Sequence, residues 1–207
     1  MEDKMDLRTF ILVDNMQPQY AAITGTVVKG DVPLAGMSQL YIELAPGSSV
    51  YHLLNAALKQ TNAKPGFQIV EREYGEIELH SFSPEEVKQA GEAILDACGL
   101  SIADRHKPRV VSEQIISNVD PYQAQLINRD SRLGSILVPG ESLFILEVEP
   151  AAYISVAVNE GEKSADVKVV TFEPVGRFGR MYLAGTESEV RAARDAVLAV
   201  IDAVEGR

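Results

Sequence analysis

The chain has 207 residues, enough for one large domain or two small ones, and its 46% hydrophobic and 24% charged content is ordinary for a soluble globular protein. A net charge of -11 argues against a phosphate-tracking surface and so against nucleic acid as a partner. The single cysteine, Cys98, excludes an internal disulfide and suits a reducing cytosol. The charged start Met1–Asp6 leads into no apolar signal region, and runs such as Phe10–Val13 and Leu143–Leu146 are far too short to span a bilayer.

In chain order, the first apolar run is Phe10–Val13, followed by the segment Gln39-Leu-Tyr-Ile-Glu-Leu-Ala-Pro46. A helical pattern covers roughly Tyr51–Thr61. Phe67–Val70 and Glu76–His80 read as two strands flanking a turn, with Ile77 and Leu79 alternating with Glu76 and Glu78 as in a half-buried strand. Ser83-Pro-Glu-Glu86 predicts a helix start with Ser at the N-cap, Pro at the first helical position and Glu closing a capping box. Val87, Ala90, Ile94, Leu95 and Cys98 then recur at helical spacing, and Gly99 is placed to end the helix. After a charged stretch, Ser101–Lys107, the same order returns. It comprises Leu143–Pro150, a helical pattern over Tyr153–Ser164, strands at Lys168–Phe172 and Arg180–Ala184, and a capping box Thr186-Glu-Ser-Glu189. The last apolar stripe is Val190, Ala193, Val197, Leu198 and Ile201.

The return is a duplication. Gly36, Ser38, Glu43 and Pro46 match Gly140, Ser142, Glu147 and Pro150 at one offset of about 104 residues, and Lys59 with Lys163 and Gly75 with Gly179 keep it. Asn15 and Pro18 match Asn118 and Pro121, and Glu86, Val87 and Ala90 match Glu189, Val190 and Ala193, each one residue shorter. The slips fall near loops, where insertion costs little. The chain therefore divides into two copies, residues 1–104 and 105–207. Each is an α+β unit with an antiparallel sheet and packed helices.

A catalytic pattern is missing. His52, His80 and His106 form no metal-ligand pair, and Cys98 lies on the apolar stripe of its helix as a small core residue. There is no Walker loop, dinucleotide fingerprint or Gly-x-Ser-x-Gly elbow, and Gly134–Gly140 reads as a plain hairpin connection. No cofactor is called for. The distinctive places are two equivalent inter-strand loops, Val70-Glu-Arg-Glu-Tyr-Gly75 and Glu173-Pro-Val-Gly-Arg-Phe-Gly179. Taken alone, each also reads as a solvated turn, and Phe178 reads equally as a pore lining or a core anchor.

The second copy resembles the shell domain of bacterial microcompartments. The resemblance runs through Ala151–Val167 as the first helix and the start of a strand, Val169–Gly179 as strand and pore loop, and Met181–Gly185 before the capping-box helix. In the first copy Asn55–Lys59 is a weaker helix match, and Tyr74-Gly75 replaces Gly-x-Phe-Gly. A strand-rich segment precedes the core in both copies, as in circularly permuted members. The whole chain is similar to the tandem, permuted shell trimers of carboxysomes and heterotroph microcompartments. The stretches that carry this are Leu7–Phe10, Val13–Pro18, Val70–Gly75, Gln114–Val119, Gln123–Arg129 and Pro139–Glu147.

The resemblance implies two ferredoxin-like permuted domains and a non-enzymatic role. Three chains would form a pseudohexagonal disc that tiles with other shell hexamers and pentamers, and discs would stack in pairs. The location implied is the shell, within the cytoplasm, with no membrane partner. Metabolites would cross a wide central pore. Glu71 and Arg72 would be its gate, beside Glu73, Tyr74 and Gly75, with Gly75 giving the loop freedom to adopt two states. Gly176, Arg177, Phe178 and Gly179 would form the second-domain loop near the same axis. The rival reading is a trimeric small-molecule sensor that does not tile.

Overall fold

Alternating side chains build the first sheet. The computed structural model describes residues 5–130 and 132–207, in which β1 (Asp6–Val13), β2 (Ser38–Ala45), β3 (Lys64–Glu71) and β4 (Tyr74–Ser81) pair throughout antiparallel in the order β1-β2-β4-β3. Leu40, Ile42 and Leu44 of β2 and Ile77 and Leu79 of β4 face one way and are fully buried. Helices α2 (Val50–Leu58) and α3 (Pro84–Cys98) pack there, contributing Val50, Leu53, Leu54 and Ala57, and Val87, Ala90 and Ile94. Each large apolar side chain buried in this way stabilises the unit by about 1.5–3 kcal/mol.

The second copy repeats the plan. The strands β5 (Arg109–Ile116), β6 (Ser142–Glu149), β7 (Lys168–Glu173) and β8 (Gly179–Gly185) take the order β5-β6-β8-β7, with α5 (Ile154–Ser164) and α6 (Glu187–Asp202) packed together. Equivalence reaches the register: Leu40 faces Leu79, and Phe144 faces Leu183. The irregularities repeat too, at Leu7/Thr9 and Val110/Ser112, and at Pro65/Phe67 and Val169/Thr171. One compact unit runs up to Lys107 and includes Glu205–Arg207, and the other is Pro108–Val204. Arg105 and His106 belong with the first, donating to the Phe10 carbonyl (2.7 Å) and to Asp6 (2.8 Å).

Several features depart from the sequence expectation. Glu76 and Glu78 alternate with apolar residues as predicted, but their face is not solvated, and both are buried. Helix α1 (Pro18–Val27), unforeseen, supplies Tyr20, which donates to Gln39 (2.5 Å) on that face. Gln39 in turn donates to Glu78 (3.0 Å), and Tyr41 donates to Glu76 (2.8 Å), so the buried polar groups are held by partners, as burial requires. Its counterpart α4 (Pro121–Asp130) buries only Ala124 among its described residues.

The first capping box is half formed. Ser83 accepts from the Glu86 amide, but the Glu86 carboxylate takes the Asn62 backbone amide at 2.7 Å. The second box, Thr186 with Glu189, is complete. Gly99 ends α3 at φ 66° as expected. Gly134 does not sit in a plain hairpin. A Cβ there would lie 2.3 Å from the Val170 carbonyl oxygen, and the Ser135 amide donates to Val169, so the segment lies against β7.

Candidate pore loops

In the first unit, β3 and β4 meet in a two-residue turn, because Glu71 still pairs with Tyr74. Arg72 and Glu73 form its tip. Arg72 has φ 55°, a backbone conformation that costs a non-glycine residue about 1–3 kcal/mol. Its side chain is 91% exposed and lies 3.5 Å from the Glu71 carboxylate, itself half exposed. An ion pair this open contributes about 0–1 kcal/mol and leaves both side chains free to reorient. An open cleft of about 550 Å³ beside the hairpin is lined by Asp6, Ala45–Ser48, Val70, Arg72 and Glu73.

The base of the hairpin is the opposite of free. Gly75 is buried, and a Cβ on it would stand 2.2 Å from the Gly47 carbonyl oxygen. The Gly47 amide donates to the Glu73 carbonyl (2.9 Å). Gly75 is therefore glycine for close backbone approach rather than for the conformational freedom expected of it. Tyr74 is half-buried and lies under the Arg8 guanidinium, 3.8 Å from its carbon to the ring centroid. Burial first, then hydrogen bonding to Glu73, pushes the Tyr74 phenol up, while the Arg8 charge pulls the other way. Arg8 was not singled out in the sequence. There it is one residue of the stretch Leu7–Phe10 that carries the resemblance, ahead of the apolar run Phe10–Val13.

The second-unit loop roots at the same place. Gly179 pairs with Val148 as Gly75 pairs with Leu44, and its Cβ would stand 2.0 Å from the Ala151 carbonyl oxygen. Its tip differs. Gly176 takes φ 111°, which suits glycine, and Arg177 lies over the half-buried Phe178 ring at 5.2 Å. Arg177 is also 3.8 Å from Glu149, which Arg109 engages at 2.5 Å. Phe178 is thus neither a core anchor nor bare. Within each unit the predicted loop residues come together on one hairpin, Glu71–Gly75 in the first and Gly176–Gly179 in the second.

His80 is enclosed between Glu78 (3.1 Å) and Asp31 (3.2 Å), and His106 pairs with Asp6. Burial pushes the Cys98 thiol up to about 11. Among the described residues no group of three His, Cys, Asp or Glu is placed to hold a metal ion, and no helix is long and apolar enough to cross a membrane.

Comparison with known proteins places this arrangement. The family described as the CsoS1D N-terminal domain matches residues 7–104. The carboxysome shell protein CcmP of Synechococcus elongatus is 43% identical over 203 residues, covering 98% of this chain and 95% of that protein. The structure of a fused permuted hexameric shell protein from the RMM microcompartment is 44% identical, covers 97% of this chain and all of its own, and superposes with a TM-score of 0.92. A double-ringed trimeric shell protein from the same microcompartment is 36% identical, covers 98% of both chains, and has a TM-score of 0.94.

Proposed function

This chain belongs to the family of tandem-domain bacterial microcompartment shell proteins, and from that premise we propose that it builds a gated pore in the shell. Its relatives are structural shell proteins rather than enzymes. Three copies close into a ring of six similar domains, two from each chain, and rings pair face to face. The solved relative that is a double-ringed trimer supports that pairing. Disc edges meet other shell hexamers and pentamers, and metabolites cross at the centre.

The observation that carries this reading is the pair of unlike hairpins rooted on like glycines, Gly75 and Gly179. Cyclic symmetry repeats each loop three times around one axis, so the ring can present two chemistries where six identical domains would present one. The first loop supplies the moving part. Glu71 and Arg72 are exposed, weakly paired and set on a strained backbone, whereas Glu73, Tyr74 and Gly75 root them. Turned inward, three Glu71–Arg72 pairs fill the axis; turned aside, they leave a charged, polar opening that selects by size and field. The difference lies in a few torsions, so the two states differ by a few kcal/mol. Gly176, Arg177, Phe178 and Gly179 line the same axis from the second domain.

Electron microscopy of concentrated protein tests the assembly. Extended sheets, tubes or closed shells are expected. Discrete trimers that never tile and bind a small molecule tightly would move the chain to the sensor reading.

A further inference from the structure

Each sheet carries a glutamate at the same position, Glu43 in β2 and Glu147 in β6, and each is neutralised differently. In the second unit the partner is Arg180 on the neighbouring β8, half exposed, and the β5 position equivalent to Arg8 is Val111, the bulged residue between Val110 and Ser112. In the first unit β4 offers Glu76 instead, and the partner is Arg8, the bulged residue of β1, with its Nε 2.5 Å from Glu43. Arg8 and Glu43 are both buried.

A glutamate at this position does not by itself call for a buried arginine: in the second unit Glu147 is partly exposed and its arginine half exposed, whereas in the first unit both charges are buried, which adds a desolvation penalty. Nor is Arg8 fully engaged by the ion pair. Its Nη2 is buried and has no hydrogen-bond partner among the described residues. What the buried placement does achieve is to lay the guanidinium face on the Tyr74 ring at 3.8 Å. A guanidinium desolvated over an aromatic face makes a strong contact, and Lys would not reproduce its planar stacking. The unit that carries the Glu71–Arg72 tip is the unit that carries this contact. In the second unit Phe178 takes Tyr74's place, and the arginine over its ring is the exposed Arg177 of its own loop.

We propose that Arg8 is a positioning residue for the gate: held by Glu43, it clamps Tyr74 so that the loop rearranges only at Glu71 and Arg72 and switches between two defined states. The Gly47 amide on the Glu73 carbonyl and the Gly75 approach to Gly47 clamp the other side of the same base. This inference rests on the gate reading above, and its test separates the two.

Three variants are compared in assembled rings and shells: Tyr74→Leu, which keeps the ion pair; Arg8→Met with Glu43→Gln, which removes both buried charges together; and Tyr74→Phe, which keeps the ring. Amide hydrogen exchange at residues 72–75 rises about tenfold in the first two, the factor expected for losing a desolvated cation–π contact, and stays at the wild-type rate in Tyr74→Phe. Exchange in the rest of β2 and β4 is unchanged. Metabolite passage through Tyr74→Leu shells rises, because the closed state is no longer held. Wild-type exchange in both disruptive variants overturns the clamp. Faster exchange with unchanged passage overturns the positioning role and leaves a merely structural contact. Failure of the gate reading shows elsewhere, as passage unchanged by Glu71→Ala with Arg72→Ala.

Discussion

Glu43 and Glu147 stand at the same register position in their sheets, yet each is neutralised from the opposite side, Glu43 by Arg8 of β1 and Glu147 by Arg180 of β8. The exchange follows from the third strand, where Glu76 faces Glu43 and Arg180 faces Glu147. Two copies of one fold thus keep a common backbone while moving a charge from a half-exposed strand position to a buried one.

That difference predicts unequal costs. Arg8→Met removes the buried charge that faces Glu43 and destabilises the protein by about 3–5 kcal/mol, and adding Glu43→Gln recovers most of the loss. Arg180→Met, at a half-exposed pair, costs about 1 kcal/mol or less. Urea unfolding of the three variants measures the contrast.

His80 makes stability depend on pH. Burial pulls its imidazolium down, but hydrogen bonds and charge from Glu78, then Asp31, outweigh this and hold its pKa above the ordinary 6.5. A group with a raised native pKa contributes stability that is fully present below the unfolded value of about 6.5 and is lost as pH rises through the native value. Wild type should therefore melt higher than His80→Gln at pH 6, with the gap narrowing as pH rises. Thermal unfolding between pH 6 and 9 reads it, and a gap that widens with pH would contradict the assignment.

The duplication, the sheet strands around both loops and the capping-box helices were legible because each has a local signature: a constant offset, alternation, and a hydroxyl three residues before a carboxylate. Helix α1 was not, since its buried Tyr20, Ala21, Ile23 and Thr24 mix polar and apolar groups and make no clean stripe. Nor was the burial of Glu76 and Glu78. Alternation tells which residues share a face, but the long-range partners Tyr41 and Gln39 make that face a dry one. The two loops were legible as turns between paired strands. Arg8 was not, because its partner Glu43 is 35 residues away and Tyr74 farther still.

The two base glycines have no room for a side chain. Gly75→Ala and Gly179→Ala each drive a Cβ into a backbone carbonyl, at 2.2 and 2.0 Å, which a packed backbone cannot relieve cheaply. Each should cost about 3 kcal/mol or more. Gly176→Ala meets no neighbour and carries only the strain of φ 111°, about 1–2 kcal/mol. Thermal unfolding ranks the three, and a Gly176 variant as damaged as the others would contradict the close-approach account.

Cys98 should be chemically quiet. Burial pushes its thiol up to about 11, so at pH 7.5 its thiolate fraction is on the order of a few hundred times below that of a free cysteine. Modification by a thiol reagent should be slower by a comparable factor and should accelerate to the free-cysteine rate on unfolding.

In the proposed ring the two unlike loops share one axis and Glu71 and Arg72 close it. The direct measurement is a cryo-electron microscopy structure of assembled rings of wild type and of Glu71→Ala with Arg72→Ala. Three first-unit hairpins are expected at the threefold axis, with residues 71 and 72 either meeting across it or turned aside in wild type, and only an open centre in the double variant. Hairpins lying away from the axis, or a centre still closed in the double variant, would contradict it.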